Sequence, residues 1–261
     1  MTGSGRVALV TGAAGGVGSG VCRALLDRGW TVIAHVRSAE QGRSLADGGA
    51  RTVAANLESR RELSDLIAQV WSETDRIDVL VNNAALGYGP PDAVRKVTED
   101  GIESRLAVNV LAPLFLMKGL VKMIGHGGRV VNLASTNQQL VDANDLQLCN
   151  AWSRENAYRQ SKALSLIVTE VFSRRWASRS VAVNAIHPGT RLPTKMVLES
   201  GAEPLGSLAL GIETCVKEVT SELHNSGVLV NAGEQPARIA ELYPDETTNE
   251  ALVARLEEFA P

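Results

Sequence analysis

The chain has 261 residues, 44% of them hydrophobic, which is enough for one large α/β domain or two small ones. Its formal net charge is −3 and its basic residues are scattered, so we expect no nucleic-acid partner. Cys22, Cys149 and Cys215 form no close pair, which indicates reduced thiols, and the dispersed histidines favour no metal site.

The start of the chain lacks the charged-then-apolar order of a signal peptide. Its most apolar long stretch, residues 106–124, contains Asn109, Pro113 and two lysines, which argues against a membrane span. We therefore expect a cytoplasmic protein with no membrane segment.

Short runs of Val, Ile, Leu and Ala alternate with helical patterns along the whole chain. The predicted strands cover residues 7–10, 31–34, 51–54, 79–81, 129–133, 181–186 and 228–230. Seven strands that alternate with helices predict a doubly wound, Rossmann-type α/β fold, in which a parallel sheet has helices on both faces. No linker or repeat interrupts residues 1–261, so we expect a single domain.

The least regular segments are 136–155, after the fifth strand, and 187–205, after the sixth. Ligands bind beyond the carboxyl ends of the strands in such sheets, so we expect these two segments to form the substrate mouth. A polar tail at 231–248 precedes a last amphipathic helix.

A glycine-rich turn, Thr11 to Gly18, follows the first strand and opens a helix. Gly12 allows a tight turn, Gly16 lets the backbone approach a pyrophosphate, and Gly18 permits close packing of helix on strand. Val17 is expected to contact the same ligand. An ordinary βα loop is the alternative, but the position of the turn favours dinucleotide binding.

The second strand ends at Val36 and Arg37, where a carboxylate would accept hydrogen bonds from the ribose 2′-hydroxyl of NAD. Arg37 can instead pair with the 2′-phosphate of NADP, which Val36 would not repel. The alternative is a solvated surface arginine. The sequence therefore favours NADP(H) over NAD(H).

Three residues suggest carbonyl chemistry. Ser135 follows the fifth strand, and Tyr158 and Lys162 stand four apart in a helical pattern over 156–176, on one helix face. A free phenol has a pKa near 10, and nearby positive charge favours the phenolate, so we expect Lys162 together with the positive nicotinamide ring to lower the pKa of Tyr158. In reduction, Tyr158 would donate its proton to the forming alkoxide while Ser135 binds the substrate oxygen.

Taken in chain order, these motifs resemble the short-chain dehydrogenase/reductase family over essentially all 261 residues. The motifs that carry the resemblance are Thr11-Gly-x-x-x-Gly-x-Gly18, Asn82-Asn-Ala84, Asn109, Ser135, Tyr158-x-x-x-Lys162 and Pro188-Gly189. The resemblance implies a nicotinamide-dependent enzyme that interconverts a carbonyl and an alcohol.

The resemblance also implies roles for further residues. Asn109 is implied to kink its helix and to hold a water that relays protons from Lys162, which would also bind the nicotinamide ribose. The other implied cofactor contacts are Asn83 and Ala84 along its path, Asn56 and Leu57 at the adenine, and Pro188, Gly189 and Thr190 at the carboxamide.

Ser135 and Tyr158 are 23 residues apart, farther than in many members of the family. This longer interval is similar to the retinol-dehydrogenase and carbonyl-reductase-like branches, which generally use NADP(H) and favour hydrophobic carbonyl substrates. We therefore expect reduction of a ketone or aldehyde on a mostly apolar small molecule. An alcohol dehydrogenase working in the oxidative direction and a catalytically silent dinucleotide-binding relative remain open.

The helical patterns over 98–124 and 156–176 have more apolar positions than one sheet face requires. The family commonly pairs these helices between subunits. The sequence thus predicts a homodimer or homotetramer.

Overall fold

The apolar runs of the sequence pair side by side in a computed structural model, which describes residues 5–222 and 224–260. Residues 1–4, where no leader is expected, lie outside the described residues, as do Leu223 and Pro261. The strands of the described part are β1 (Val7–Val10), β2 (Thr31–Val36), β3 (Arg51–Ala54), β4 (Ile77–Asn82), β5 (Ile124–Leu133), β6 (Ala182–His187), β7 (Val228–Asn231) and β8 (Ala237–Arg238).

The sheet has the order β3-β2-β1-β4-β5-β6-β7-β8, and β1 to β7 run parallel. This order confirms the predicted doubly wound Rossmann-type fold. The sheet differs from the prediction in its eighth strand, which pairs antiparallel with β7 inside the expected polar tail. A strand of two residues, Ala237–Arg238, is too short to show an alternating pattern in sequence.

Helices cover both faces of this sheet. In the described part they are α1 (Gly16–Leu26), α2 (Ala39–Asp47), α3 (Arg60–Glu73), α4 (Ser104–Leu106), α5 (Ala112–Leu120), α6 (Arg154–Arg175), α7 (Lys195–Glu199), α8 (Leu208–Val219), α9 (Ile239–Leu242) and α10 (Glu246–Glu257). A π-helical segment, Ala107–Leu111, joins α4 to α5, and a 3₁₀ turn, Ala177–Arg179, follows α6. None of the described helices is long and apolar enough to span a bilayer.

Two apolar cores lie on the two faces of the sheet. Successive residues of a strand point to opposite faces, so Leu9 packs under α3, α5, α6 and α10, while Ala8 and Val10 pack under α1, α2 and α8. Strands buried on both faces explain why their sequences show no alternation of apolar and polar residues.

The helix that carries Tyr158 and Lys162 is enclosed on all sides. Residues 160–173 of α6 are buried without interruption, because the sheet covers one side and α10 covers another. Leu252, Val253 and Leu256 of α10 belong to the same core as α6. This packing fixes the position and orientation of the first turns of α6 relative to the sheet.

Candidate active site

From β1 the chain proceeds toward one edge of the sheet, and from β4 it proceeds toward the other. The glycine turn lies at this switch point between β1 and β4. The Thr11 hydroxyl accepts hydrogen bonds from the backbone N–H groups of Asn83 and Ala84, each at 3.0 Å. The Asn83 side chain donates back to the carbonyls of Thr11, at 2.7 Å, and Gly12, at 3.0 Å. These bonds join the end of β4 to the turn after β1.

The glycines of the turn fit the roles expected of them. Gly12 has φ +63°, and a Cβ there would lie 2.8 Å from the Cα of Ala84. A Cβ on Gly18 would lie 2.4 Å from Nδ2 of Asn83 and 2.5 Å from the Gly12 carbonyl oxygen. Gly15 is the N-cap residue of α1, so no side chain covers the first N–H groups from this position, and a Cβ there would meet no atom within 4 Å. The start of α1 is therefore open at Gly15, while the Thr194 side chain lies close to Gly16, where a Cβ would be 3.1 Å from Thr194 Cγ2.

A buried histidine supports this turn from below. Nδ1 of His35 accepts a hydrogen bond from the Gly12 N–H at 3.2 Å, so the ring proton is on Nε2, which lies 3.0 Å from the Ala55 carbonyl oxygen. Burial lowers the pKa of His35, the Ala55 hydrogen bond opposes that shift, and the charge of Arg37 adds to it. Sequence analysis missed this residue, because a lone histidine in an apolar strand carries no pattern.

A cavity of about 970 Å³ opens along this edge of the sheet, at the upper end of the range of about 300 to 1,000 Å³ for ligand sites. The predicted site residues on its wall are Gly12, Gly16, Val17, Arg37, Asn56, Leu57, Asn83, Ala84, Ser135, Tyr158, Lys162, Pro188, Gly189 and Thr190. Two predicted site residues, Gly18 and Asn109, are not on the wall. Gly18 packs against the Asn83 side chain, and Asn109 lies behind the wall with 2% of its surface exposed.

Ser135, Tyr158 and Lys162 meet at one end of this cavity. The Ser135 hydroxyl lies near enough to the Tyr158 phenol to lower its pKa. The ammonium of Lys162 donates to the Leu133 carbonyl oxygen at 2.9 Å and lies 5.8 Å from the centroid of the Tyr158 ring. The structure thus brings together three side chains that the sequence separates by up to 27 residues, from Ser135 to Lys162.

The pKa of Tyr158 differs from the sequence-based expectation. Burial raises the pKa of Tyr158 to about 12, and it outweighs the opposing hydrogen bond from Ser135. Burial also lowers the pKa of Lys162 to about 8. In the protein alone, the low-dielectric surroundings therefore disfavour the phenolate, and the expected lowering by Lys162 together with the positive nicotinamide ring stays a prediction for the cofactor-bound protein.

Asn109 joins three elements behind the catalytic side chains. It lies in the π-helical segment, its Oδ1 accepts from the Leu86 N–H at 2.7 Å, and its Nδ2 donates to the Leu86 carbonyl at 3.0 Å and to Ser161 Oγ at 2.9 Å. The Ser161 hydroxyl donates in turn to the Tyr158 carbonyl at 2.7 Å. The departure from regular α-helix at Asn109 agrees with the kink that the family resemblance implies.

Tyr88 is a wall residue that sequence analysis missed. Its ring centroid lies 4.5 Å from that of Tyr158, with the planes inclined at 44°. The Asn137 side chain donates a hydrogen bond to its hydroxyl. Tyr88 follows β4 in a stretch without regular periodicity, so only the fold shows that it covers the catalytic tyrosine.

Both segments expected at the mouth contribute to the cavity wall. Those from 136–155 are Thr136, Asn137, Arg154 and Glu155, and those from 187–205 include Leu192, Thr194, Met196, Val197, Ser200 and Ala202. Trp152 is not on the wall, since its indole donates to Glu103 at 3.3 Å beneath the guanidinium of Arg105. Over the described residues, no three His, Cys, Asp or Glu side chains are grouped to hold a metal.

The sheet order and the glycine turn at its switch point define a Rossmann-type α/β protein. The model of the short chain dehydrogenase family matches residues 6–204, and the chain belongs to this family. It is 30% identical over 198 residues to human retinol dehydrogenase 13, covering 71% of this chain but only 59% of that protein. It is 30% identical over 190 residues to galactitol 2-dehydrogenase of Agrobacterium fabrum, covering 70% of each.

Solved structures share the fold. An uncharacterized protein of Mycobacterium paratuberculosis has a TM-score of 0.80 at 24% identity, with 98% of this chain and 93% of that chain covered. RhlG of Pseudomonas aeruginosa, in an NADP active-site complex, has a TM-score of 0.69 at 22% identity, and the match covers 87% of this chain and 94% of that chain. The 3-ketoacyl-(acyl-carrier-protein) reductase of Brucella melitensis, complexed with NADH, has a TM-score of 0.70 at 20% identity. The match covers 87% of this chain and 96% of that chain.

The two glycines Gly18 and Gly15 form a matched pair for testing the packing of the turn. We expect Gly18→Ala to lower the free energy of unfolding by about 1 to 3 kcal/mol, because its Cβ would overlap Asn83 and the Gly12 carbonyl. Gly15 has extended backbone and open space, so Gly15→Ala should change that free energy by less than about 0.5 kcal/mol. Urea unfolding of both variants measures the difference, and equal losses would contradict the packing role of Gly18.

His35 makes stability depend on pH in a stated direction. Its folded pKa lies below the ordinary 6.5, so the unfolded chain takes up the proton first and stability falls as pH drops below that value. His35→Asn keeps a side-chain acceptor near the Gly12 N–H but does not titrate. We expect its melting temperature to fall less than that of the wild type between about pH 7.5 and 5.5.

The matched control for this measurement is His126→Asn, since His126 is exposed on β5. Its melting curve should follow the wild-type pH dependence. If His35→Asn and the wild type lost the same number of degrees over this range, the neutral histidine beneath the turn would not be the titrating group.

Proposed function

We propose that this protein reduces a ketone or aldehyde on a mostly apolar small molecule to the alcohol, with NADP(H) as cofactor and Tyr158 as the general acid. One observation carries the proposal: Ser135, Tyr158 and Lys162 meet at one end of a cavity whose other end holds Arg37 and the glycine turn. When bound, the nicotinamide ring supplies the hydride. The protein's own residues supply orientation and the proton.

The Tyr158 hydroxyl is the proton donor in this proposal. With its pKa raised to about 12, the phenol keeps its proton at neutral pH and can transfer it as negative charge develops on the substrate oxygen. The Ser135 hydroxyl accepts a hydrogen bond from the Asn137 N–H at 3.0 Å, which holds its oxygen in place and leaves its one proton free to be donated to the substrate oxygen. Ser135 thus stabilises the developing charge.

Lys162 supplies positive charge next to the phenol. One of its three N–H donors is used by the Leu133 carbonyl, and because Lys162 lines the cavity, the others would be available to the nicotinamide ribose. Its pKa of about 8 keeps the ammonium largely charged at pH 7. That charge favours the phenolate left after proton donation. Asn109, which fixes Leu86 and Ser161, would position the water that reprotonates this pair.

The reductive direction fits the protonated phenol better than the oxidative one. Oxidation of an alcohol requires Tyr158 to lose its proton before accepting one from the substrate, and burial opposes that loss. An alcohol dehydrogenase acting in reverse uses the same side chains and remains the alternative. A catalytically silent relative is disfavoured by the convergence of Ser135, Tyr158 and Lys162.

Arg37 supports NADP(H) as the cofactor. It is exposed at the adenine end of the cavity and makes no hydrogen bond or ion pair with the described residues, so its guanidinium is available to a 2′-phosphate. Asn56 and Leu57 line the same end. Relatives of the same fold were solved with NADP and with NADH, so the choice between them rests on Arg37.

Apolar side chains around the catalytic end support an apolar substrate. Leu86, Tyr88, Met196, Val197 and Ala202 line that end. The segment 136–155 would form one rim of this end and 190–205 a lid that includes α7. The active site would then exclude water around the reacting carbonyl.

Other properties of the chain remain predictions. We propose a single domain over 1–261, a cytoplasmic location, and a homodimer or homotetramer. Light scattering measures the number of subunits, and fractionation of the source cell measures the location.

Tyr158→Phe tests the proposed acid. We expect kcat for NADPH-dependent reduction of a responsive carbonyl, found in a panel of aldehydes and ketones, to fall about 100-fold or more, because general acid catalysis contributes factors of this size. The phenylalanine keeps the ring against Tyr88, so NADPH affinity by fluorescence titration should be unchanged. Tyr243→Phe is the matched control, since Tyr243 is not on the cavity wall, and undiminished turnover in Tyr158→Phe would refute the mechanism.

Arg37→Gln tests the cofactor choice. We expect KM for NADPH to rise about 10- to 100-fold, because the variant loses a charge-assisted hydrogen bond worth about 1.5 to 3 kcal/mol. KM for NADH, which lacks the 2′-phosphate, should stay within about twofold, and Arg37→Lys should lie between. Val36 is 1% exposed, so an acidic residue there would be buried and position 37 gives the cleaner variant. An unchanged ratio of the two KM values would remove the basis for NADP(H).

A further inference from the structure

We propose that the substrate of this reductase carries an oxyanion, a carboxylate or a phosphate, that pairs with Arg159 on the wall of the cavity that Tyr158 also lines. This inference rests on the proposed function and narrows its substrate class. Arg159 follows Tyr158 directly on α6 and lines the same cavity, so a group bound to it lies on the same wall as the proton donor.

Arg159 makes no ion pair with any of the residues that the structure describes. Its Nε is shielded from solvent and has no hydrogen-bond partner among them. Most arginines in such a position are satisfied by a carboxylate or a carbonyl, because burying an unpaired charge is costly. The unfilled hydrogen-bonding capacity of Arg159 therefore faces a cavity built to receive a ligand.

The neighbouring charges are already used within the protein. Arg154 donates to Glu155 at 2.7 Å, to the Gly89 carbonyl at 3.2 Å and to the Ser200 carbonyl at 3.5 Å. Its role is to tie the loop after β4 to the segment after α7. Glu155, one turn before Arg159 on α6, pairs with Arg154, and no ion pair between Glu155 and Arg159 is formed.

The remaining cations of the wall differ from Arg159. Lys195 lies 3.5 Å from Glu199 at the exposed rim, and Arg191 is also exposed, so water can solvate both. Lys162 belongs to the catalytic group, and Arg37 lies at the far end. Arg159 is thus the wall cation whose position and surroundings fit a role in binding the substrate.

The chemistry of guanidinium indicates the class of group that it would bind. Its planar fork matches two oxygens of a carboxylate or phosphate, and a partly desolvated site strengthens that pairing. Leu86, Tyr88 and Met196 supply apolar contacts around the rest of the molecule. The substrate is then an otherwise apolar carbonyl compound with one anionic end.

Matched pairs of substrates test this inference in the full-length enzyme with NADPH. One pair is an aryl oxo carboxylate and its methyl ester, and the other is a phosphorylated hydroxyketone and its unphosphorylated form. Each is assayed with the wild type, Arg159→Gln, Arg159→Lys and the control Arg61→Gln, an exposed arginine on α3 remote from the cavity.

We expect Arg159→Gln to lower kcat/KM about 10-fold or more for the anionic member of one pair, and less than about 2-fold for its neutral member. Arg159→Lys should recover part of that loss, and Arg61→Gln should match the wild type. The pair that responds identifies carboxylate or phosphate as the group. An equal loss on both members, or no loss on either, would overturn the inference.

A binding measurement separates failure of the inference from failure of the proposed function. If no carbonyl is turned over, the proposed function is wrong, and the same compounds are then tested by thermal shift with NADP present. A rise in melting temperature caused by an anionic member in the wild type, but absent in Arg159→Gln, would still support the anion site. Equal shifts in the two proteins, or none, would refute it.

Discussion

The structure depends on the contact between the turn after β1 and the end of β4. Thr11, Gly12, Asn83 and Ala84 exchange four hydrogen bonds there, and Gly12 and Gly18 leave no room for a Cβ. Buried polar groups of this kind must be satisfied, so the two chain segments can meet in few ways. Their contact holds the cavity open at the switch point, because the strands on either side are connected in opposite directions.

The site follows from this constraint through the neighbouring strands and helices. β5 pairs with β4 and delivers Ser135 to the same edge, while α6, packed against the sheet and under α10, delivers Tyr158 and Lys162. Tyr158 and Lys162 thus stand on a firmly packed helix, and Ser135 follows a central strand by two residues. In the proposed reaction, positions of this kind would keep the reacting groups within the small tolerance that proton transfer requires.

The fold and most of the wall could be predicted because each depends on a local pattern. Apolar strand runs, glycines at a strand–helix junction and a tyrosine four residues before a lysine all show in a short window of sequence. Tyr88 and Arg159 could not be found in this way, since only the tertiary structure brings Tyr88 onto the Tyr158 ring and leaves Arg159 unpaired. The strand β8 could not be predicted for another reason, because a strand of two residues is too short to show an alternating apolar and polar pattern.

Burial bears on two expectations in ways that a sequence does not show. From sequence, the charges near Tyr158 were visible, and the desolvation that raises its pKa in the protein alone was not. Likewise, the apolar excess over 156–176 suggested a second subunit, and Leu252, Val253 and Leu256 of α10 in the same chain pack against part of it. A buried face and an interface face have the same apolar pattern in sequence, so the homodimer or homotetramer stays a prediction.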